Sequence, residues 1–273
     1  MAIPPERNEP ARARFVAGPA WNRASSMIAA NREMLLVLAG VFFLLPQLIV
    51  TFALPAVPAG LEGEALAEAI GDTYLAWWPL LLGSLIVQAL GLLAVVALLA
   101  DPARPTVAEA VRRGTAALPT YIAAQLVVVA GVGLLMLLVL LPFGFTGNAG
   151  IVAIGTGIAF AAALYMLVRL SLLAPVIIAA NLRNPFDALQ HAWTLTRGQA
   201  GRLLFFLMML SLAALVIYMV ASIVPGLLVL PIAGADTAAL VVGLIGSVVA
   251  AAYSLILVAV LTSIWFQLAQ RPG

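Results

Sequence analysis

Side chains able to do acid-base, nucleophilic or metal chemistry are scarce in this sequence. It contains one histidine, His191, and no cysteine. A metal site needs several ligands at close spacing, so an isolated histidine favours a polar surface role. Phosphate loops of the GxxxxGK type, GxSxG nucleophile elbows and paired carboxylates inside an apolar run are absent from the sequence. We therefore predict that the chain is not an enzyme and has no cofactor and no metal.

Arg169 is the one charged side chain that lies well inside an apolar run, and it is the leading candidate for a functional residue. An unpaired charge at the centre of a bilayer costs roughly 2.5 to 3.5 kcal/mol, so such a residue needs a partner or a function. One hypothesis is structural, with Arg169 paired to Asp187 or reaching the headgroup level. The other is that its guanidinium binds a lipid phosphate in a bidentate way. The sequence leaves both hypotheses open.

A short two-sided helix is predicted directly after this run, over residues 185–197. Asn184 suits the N-cap, Pro185 the first helical position and Gly198 the stop. A helix with one apolar and one polar face lies in the plane of a membrane surface. The predicted apolar face holds Phe186, Leu189, Ala192, Trp193 and Thr196, and the polar face holds Asp187, Gln190, His191, Thr194 and Arg197.

Residues 169–198 also carry a family resemblance. The pattern R-x-S-x-x-x-P is followed by N-P-x-D-A-L-x-x-A-W-x-L-T-R-G. This combination is similar to the membrane domain joined to some glycerophosphoryl diester phosphodiesterases, and to related uncharacterised six-span inner-membrane proteins of bacteria. Ala192 stands where that pattern has a serine, and Ala180 and Asn181 stand where it has an acidic residue. The resemblance implies a non-catalytic membrane domain, because the phosphodiesterase chemistry belongs to a separate soluble domain with a histidine and several carboxylates.

The composition is that of an integral membrane protein. Hydrophobic residues make up 64% of the 273 residues and charged residues only 9%, and the mean hydropathy is +1.16. Soluble globular domains carry about 25% charged residues, so the composition excludes a water-soluble fold.

We predict an all-α fold with six transmembrane helices, because about 20 apolar residues cross the ~30 Å of hydrocarbon in a bilayer. The fourth predicted span is longer than a bilayer requires, and Pro175 is the expected bend in it. Two further amphipathic interfacial helices are predicted over 19–33 and 106–114. The second begins at a capping box of Thr106 and Glu109 and ends at Gly114. Residues 19–273 form a single membrane domain. The predicted spans are 34–54, 74–100, 121–141, 151–180, 203–224 and 238–268.

The arginines predict the orientation. All 13 basic residues are arginine, and with a cytoplasmic N-terminus each lies in a cytoplasmic segment or, for Arg169, in the inner half of its span. Positive charge on cytoplasmic segments sets topology, so we expect both termini and the interfacial helices inside, with residues 1–18 as a disordered tail. The order of one surface helix and two spans begins at Pro19, Pro105 and Pro185. A triple repeat and chance similarity both account for it.

Two function classes remain open. The first is a non-catalytic protein of the bacterial inner membrane that organises lipid or supports a partner, such as a lipid-metabolising enzyme. The second is a carrier or flippase for a lipid or another apolar molecule. A polar cavity that reaches the intramembrane arginine would favour the carrier, and a close-packed bundle would favour the organiser. No nucleic-acid partner is expected. The candidate structural or lipid-headgroup contacts are Arg169, Asp187, Trp193 and Arg197.

Overall fold

The computed structural model describes residues 15–55, 60–101, 103 and 105–269. Every regular element in this part of the chain is helical, which confirms the predicted all-α class. The helices are α1 (Ala17–Ala30), α2 (Arg32–Ala39), α3 (Leu45–Ala53), α4 (Gly63–Ala100), α5 (Val107–Gly144), α6 (Ala149–Leu170), α7 (Leu173–Ala179), α8 (Pro185–Leu195) and α9 (Ala200–Ala269), with a π-helical segment (Gly40–Leu44) between α2 and α3.

Five helical segments of the described chain are long and apolar enough to cross a membrane. The first four coincide with, or extend, the first four predicted spans. The fifth, α9, covers both remaining predicted spans in one stretch of 70 residues. A straight α-helix of that length would measure about 105 Å, more than three times the thickness of a hydrocarbon core. The five segments are Arg32–Ala53, Gly63–Ala100, Val107–Gly144, Ala149–Ala179 and Ala200–Ala269.

Helix α9 consists of two antiparallel arms. Gly234 has non-helical backbone angles, φ 82° and ψ 174°, in a region that L side chains rarely adopt. Residues before Gly234 contact residues after it. The Ser211 Oγ lies 2.7 Å from the Tyr253 hydroxyl, and a Cβ on Gly246 would lie 3.1 Å from the Tyr218 ring. These pairs are almost symmetric about Gly234, so the chain turns back there and its two arms lie side by side.

Helix α5 begins as predicted, but it does not end at Gly114. The Thr106 Oγ1 accepts a hydrogen bond from the Glu109 backbone N–H at 3.3 Å, and the Glu109 carboxylate accepts one from the Thr106 N–H at 2.9 Å. The predicted separate helix over 106–114 is wrong, because the helix continues unbroken for 38 residues. Gly114 serves packing instead, since a Cβ there would lie 3.0 Å from the backbone N of Ala94 in α4. Small residues of this kind let membrane helices approach closely.

The N-terminal segment is anchored by Phe15. Its backbone N–H donates to the Gln199 Oε1 at 3.1 Å, and its ring, only 4% exposed, lies 5.4 Å from the Phe206 ring. Of the predicted disordered tail, residues 1–14 lie outside the described residues. The prediction is wrong for residues 15–18, because Phe15 supplies the buried apolar contact that an otherwise polar tail lacks.

Buried side chains are concentrated at one end of the molecule. In α5 all the buried residues lie between Ala110 and Val128, and none lies in 129–144. In α4, eight of the nine buried residues lie from Gly91 onward. This end carries α1, α7, α8, the connection between α4 and α5, and both ends of α9. We call it the arginine end, because it holds all eight arginines of the described residues: Arg23, Arg32, Arg112, Arg113, Arg169, Arg183, Arg197 and Arg202.

The opposite end of the molecule carries the start of α4, the loop between α5 and α6, and the turn at Gly234. It is built from the more exposed halves of the long helices. We call it the acidic end, because its charged side chains within the described residues are carboxylates: Glu62, Glu64, Glu68, Asp72 and Asp236.

Candidate functional site

The candidate site is built where α6 ends. The bend predicted at Pro175 is confirmed, since the helix breaks between α6 and α7 at residues 171 and 172. Proline has no backbone N–H, so the carbonyl of Ser171, four residues earlier, lacks its helical partner. The Ser171 hydroxyl donates to the Val168 carbonyl at 2.8 Å across the last turn of α6. The break leaves Arg169 in that last turn, while α7 leads the chain away towards α8.

Helix α8 forms with the predicted caps. The Asn184 Oδ1 accepts a hydrogen bond from the Phe186 N–H at 3.0 Å, and Pro185 is the first helical residue. The helix ends at Leu195, two residues before the predicted end. Gly198 follows with φ 80°, the left-handed conformation that favours glycine after a helix.

The face that α8 buries is rotated from the predicted one. Ala188 and Ala192 are completely buried, whereas Phe186 is 64% exposed and Trp193 is 39% exposed. The alanines let α8 lie close to its neighbours, and the two large aromatic residues are left on the outside. Helix α1 has the same arrangement, with buried Ala20 and Ala24 and with Trp21 43% exposed.

Arg169 lies in a closed cluster at the C-terminus of α8. Its side chain is 6% exposed, and all three guanidinium nitrogens donate hydrogen bonds. Nη2 donates to the Trp193 carbonyl at 2.7 Å, Nη1 to the Tyr165 hydroxyl at 3.1 Å, and Nε to the Thr196 Oγ1 at 3.4 Å. The guanidinium carbon also lies 4.0 Å from the centre of the Trp193 ring, within cation–π range. The negative end of the α8 dipole further favours a cation here.

Thr196 and Tyr165 complete this cluster, and the sequence analysis assigned neither to it. Thr196 is fully buried, and its Oγ1 lies 3.0 Å from the carbonyl oxygens of both Arg169 and Ala192. Tyr165 precedes Arg169 by four residues, which places both on one face of α6. That spacing is a local signal that identifies Tyr165 as a partner, whereas the contact with Thr196 spans 27 residues and has no local signal.

The predicted pairing of Arg169 with Asp187 is wrong, because no salt bridge joins them within the described residues. Asp187 is exposed in the first turn of α8, about 13 Å along the helix from Thr196 at 1.5 Å per residue. Arg169 instead donates to the Trp193 carbonyl at the opposite end of α8. Its guanidinium therefore has a hydrogen-bond acceptor without a carboxylate. Arg197 is exposed beyond the end of α8.

A cavity of about 190 Å³ lies between α4, α5, the break between α6 and α7, and the C-terminal arm of α9. Its lining is mainly apolar, and the polar side chains in it are Tyr121, Gln125 and Ser171. The Gln125 Nε2 donates to the Tyr121 hydroxyl at 2.7 Å. Arg169 does not line this cavity, so the cavity and the Arg169 cluster are separate features.

Comparisons of the chain with protein-family models, with curated proteins and with solved structures find no match. Over residues 15–55, 60–101, 103 and 105–269, no group of three His, Asp or Glu side chains is placed to hold a metal ion. The features of the described residues that bear on function are the Arg169 cluster, the exposed aromatic residues beside it and the cavity.

Proposed function

We propose that this chain is a non-catalytic protein of the bacterial cytoplasmic membrane that organises lipid, or a partner such as a lipid-metabolising enzyme, at the inner face of the bilayer. Its acting surface is the arginine end, where α1 and α8 present Trp21 and Trp193 at the level of the headgroups. The resemblance of residues 169–198 to the membrane domain joined to some glycerophosphoryl diester phosphodiesterases supports this function.

The closed hydrogen-bonded cluster around Arg169 is the observation that carries the proposal. A carrier that moves a phosphate-bearing lipid needs a cation that can exchange its partner for the cargo. All three guanidinium nitrogens of Arg169 already donate to Trp193, Tyr165 and Thr196, and its side chain is buried. An arginine held in this way stabilises the packing of α6 against α8, which suits a fixed platform.

We further propose six spans, with both termini of the chain in the cytoplasm. The two arms of α9 supply the fifth and sixth spans, since each is longer than the ~20 residues that cross a bilayer. The location of all described arginines at one end of the molecule supports the orientation, because positive charge is retained on the cytoplasmic side.

A carrier or flippase is the second candidate function, and the cavity beside Tyr121 is the observation that favours it. A space of about 190 Å³ among apolar side chains accommodates part of a hydrocarbon chain. The cavity does not reach the buried guanidinium, so it supplies no charged site for a headgroup. This separation is why we place the carrier second.

The organising role is tested by extracting the chain with its surrounding lipid into polymer-bounded discs and measuring the lipid composition. We expect anionic phospholipid to be enriched over the bulk membrane, because the exposed Arg183 and Arg197 attract phosphate. The double variant Arg183→Gln, Arg197→Gln should lose the enrichment. Equal lipid composition in discs and bulk membrane would refute lipid organisation.

The carrier alternative is tested in reconstituted vesicles containing a fluorescent phospholipid. We expect exchange of the probe between leaflets to be no faster than in protein-free vesicles, and no hydrolysis of glycerophosphodiesters. Faster exchange of the probe in the presence of the protein would refute the organising role and support the carrier function.

The orientation is tested with single cysteines, for which the cysteine-free chain provides a clean background. Glu64→Cys and Asp236→Cys should react with a membrane-impermeant thiol reagent applied to whole cells. Arg112→Cys and Arg197→Cys should react only after the membrane is opened. Labelling of Arg112→Cys in intact cells would contradict the orientation.

A further inference from the structure

The cavity beside Tyr121 combines an apolar interior with hydrogen-bond donors that lack acceptors. We propose that it binds one acyl chain of a membrane phospholipid, and that the ester carbonyl of this chain accepts a hydrogen bond from the pair Tyr121 and Gln125. This inference rests on the proposed role in organising lipid, since it names one lipid that the protein holds at a fixed place.

The size and lining of the cavity suit a segment of hydrocarbon. Its volume is about 190 Å³, whereas an engineered apolar cavity of about 150 Å³ is large enough to bind benzene. The side chains at its floor come from α4, α7 and α9 and are buried, as for Val96, Leu173 and Val258. An apolar occupant of this space gains dispersion contacts with every wall.

The cavity opens towards the lipid rather than towards water. Its two exposed lining residues are Gln125 on α5 and Leu167 on α6, and Leu167 is 48% exposed. Both lie within segments that are long and apolar enough to cross a membrane. An acyl chain therefore reaches the cavity from the bilayer without passing through water.

The polar pair offers hydrogen-bond donors to an acceptor. Tyrosine has one donor proton and the glutamine amide has two, and the bond between Tyr121 and Gln125 uses one of the three. The Tyr121 hydroxyl proton and the second amide proton of Gln125 have no acceptor within the described residues. Hydrocarbon offers no acceptor either. An ester carbonyl is a hydrogen-bond acceptor, so it can satisfy these two donors.

The depth of the pair agrees with the position of a lipid ester. The Thr120 hydroxyl donates to the Arg183 carbonyl at 3.1 Å, and Arg183 is exposed at the arginine end. Tyr121 follows directly, and Gln125 lies about 8 Å further along α5 than Thr120. The ester group of a phospholipid lies just below its phosphate, so a lipid seated here places that phosphate near the level of Arg183.

The test uses the full chain in vesicles of phosphatidylethanolamine and phosphatidylglycerol that contain a phospholipid with a photoreactive diazirine in one acyl chain. After illumination, mass spectrometry locates the labelled residues. We expect label on floor residues of the cavity, such as Val96 and Val258, as well as on lipid-facing residues such as Leu126. Label confined to the lipid-facing residues would overturn the proposal.

The specificity of the site is tested with two variants and one changed probe. Ala174→Leu fills the cavity and should abolish label at the floor, whereas the matched change Ala161→Leu, on the exposed side of α6, should preserve it. Tyr121→Phe should lower floor labelling about fivefold, the factor expected for the loss of one hydrogen bond. An ether-linked probe, which has no carbonyl, should label the floor equally weakly in wild type and in Tyr121→Phe.

Each opposite result overturns a stated part of the proposal. Floor labelling that survives Ala174→Leu would place the lipid outside the cavity, and equal labelling by ester and ether probes in wild type would remove the carbonyl contact. If Ala174→Leu does not fold, Tyr121→Phe and the ether probe still decide the outcome. These results are independent of disc composition and leaflet exchange, so failure of this site and failure of the organising role are distinguishable.

Discussion

The arginine end and the acidic end are built from the same apolar residue types, yet most of the buried side chains lie at the arginine end. Helix α5 shows the contrast within one element. Ala110 and Gly114 in its first half are buried, while Leu137 and Leu138 in its second half are 56% and 64% exposed. Lipid tails are as apolar as leucine, so hydrophobicity does not drive helices together within a bilayer. Small residues that permit close approach decide which half of a helix packs.

The polar contacts follow the same division. At the arginine end, buried donors and acceptors connect distant segments, as in the bond from the Ser263 hydroxyl to the Ala20 carbonyl at 2.8 Å. At the acidic end, the loop hydrogen bonds are local, as in the bond from the Thr146 hydroxyl to the Phe143 carbonyl. The arginine end is therefore held together by contacts between distant segments. Fewer such contacts lie towards the acidic end, among them the 3.2 Å contact between the Thr51 and Ser247 hydroxyls.

The largest predicted effect is that of Arg169→Ala on stability. The change removes three hydrogen bonds, among them the 2.7 Å bond to the Trp193 carbonyl, and a cation–π contact. We expect the free energy of unfolding in detergent to fall by roughly 2 to 4 kcal/mol. Arg197→Ala, an exposed arginine at the same end, is the matched control and should change it little. Equal effects of the two changes would contradict the buried cluster.

A pair of glycines on α4 tests the contrast between the two ends directly. A Cβ at Gly91 would lie 2.3 Å from the Phe42 Cβ, whereas one at Gly83 would meet nothing within 4 Å. Gly91→Ala should lower the free energy of unfolding by about 1 to 3 kcal/mol through overpacking. Gly83→Ala should leave it unchanged or raise it by up to about 1 kcal/mol through helix propensity. If both changes destabilise the protein alike, the division into a packed and an open end is incorrect.

Double-mutant cycles measure which partner stabilises Arg169. The combination of Arg169→Ala with Thr196→Val should cost less than the sum of the single changes, by roughly 1 kcal/mol, because the two side chains share a buried hydrogen bond. The combination of Arg169→Ala with Asp187→Ala should be additive within about 0.5 kcal/mol. Coupling to Asp187 and not to Thr196 would restore the ion pair that the sequence suggested.

The smallest predicted effect concerns the pH dependence of the connection between α4 and α5. The Ala103 backbone N–H, at 2.8 Å, and the Arg113 guanidinium both donate to Asp101, and they hold the pKa of its carboxyl below the ordinary value of 3.8. The unfolded chain therefore binds this proton more tightly. The stabilising contribution is complete above about pH 4 and is lost as the pH falls through the folded pKa.

Thermal unfolding measured against pH tests this contribution. Below about pH 4, Asp101→Asn should lose less stability than the wild type on further acidification, because its side chain has no proton to gain. The difference should be small, since the pair of Asp101 and Arg113 is exposed to solvent. Parallel pH profiles for the two proteins would show that Asp101 contributes nothing.

Local chemistry in the sequence was sufficient to predict the helical class, the approximate limits of the apolar segments, and several helix ends. The capping residues Thr106 and Asn184, the break before Pro175 and the stop at Gly198 all depend on groups within four residues along the chain. A missing N–H, a side-chain acceptor or a left-handed glycine starts or ends its own helix whatever the tertiary fold. Such features can therefore be predicted from the sequence.

The partners of Arg169, the buried faces of α1 and α8, and the role of Gly114 were decided by tertiary structure alone. A guanidinium can donate to a carbonyl, a hydroxyl or a carboxylate and can also stack on an aromatic ring. The position of Arg169 in the sequence therefore does not determine whether its partner is Thr196 or Asp187. Likewise, an apolar residue in a bilayer gains nearly as much from lipid as from protein. Hydropathy therefore indicates which residues enter the membrane, and only close packing of small residues such as Ala188 and Ala192 determines which of them meet one another.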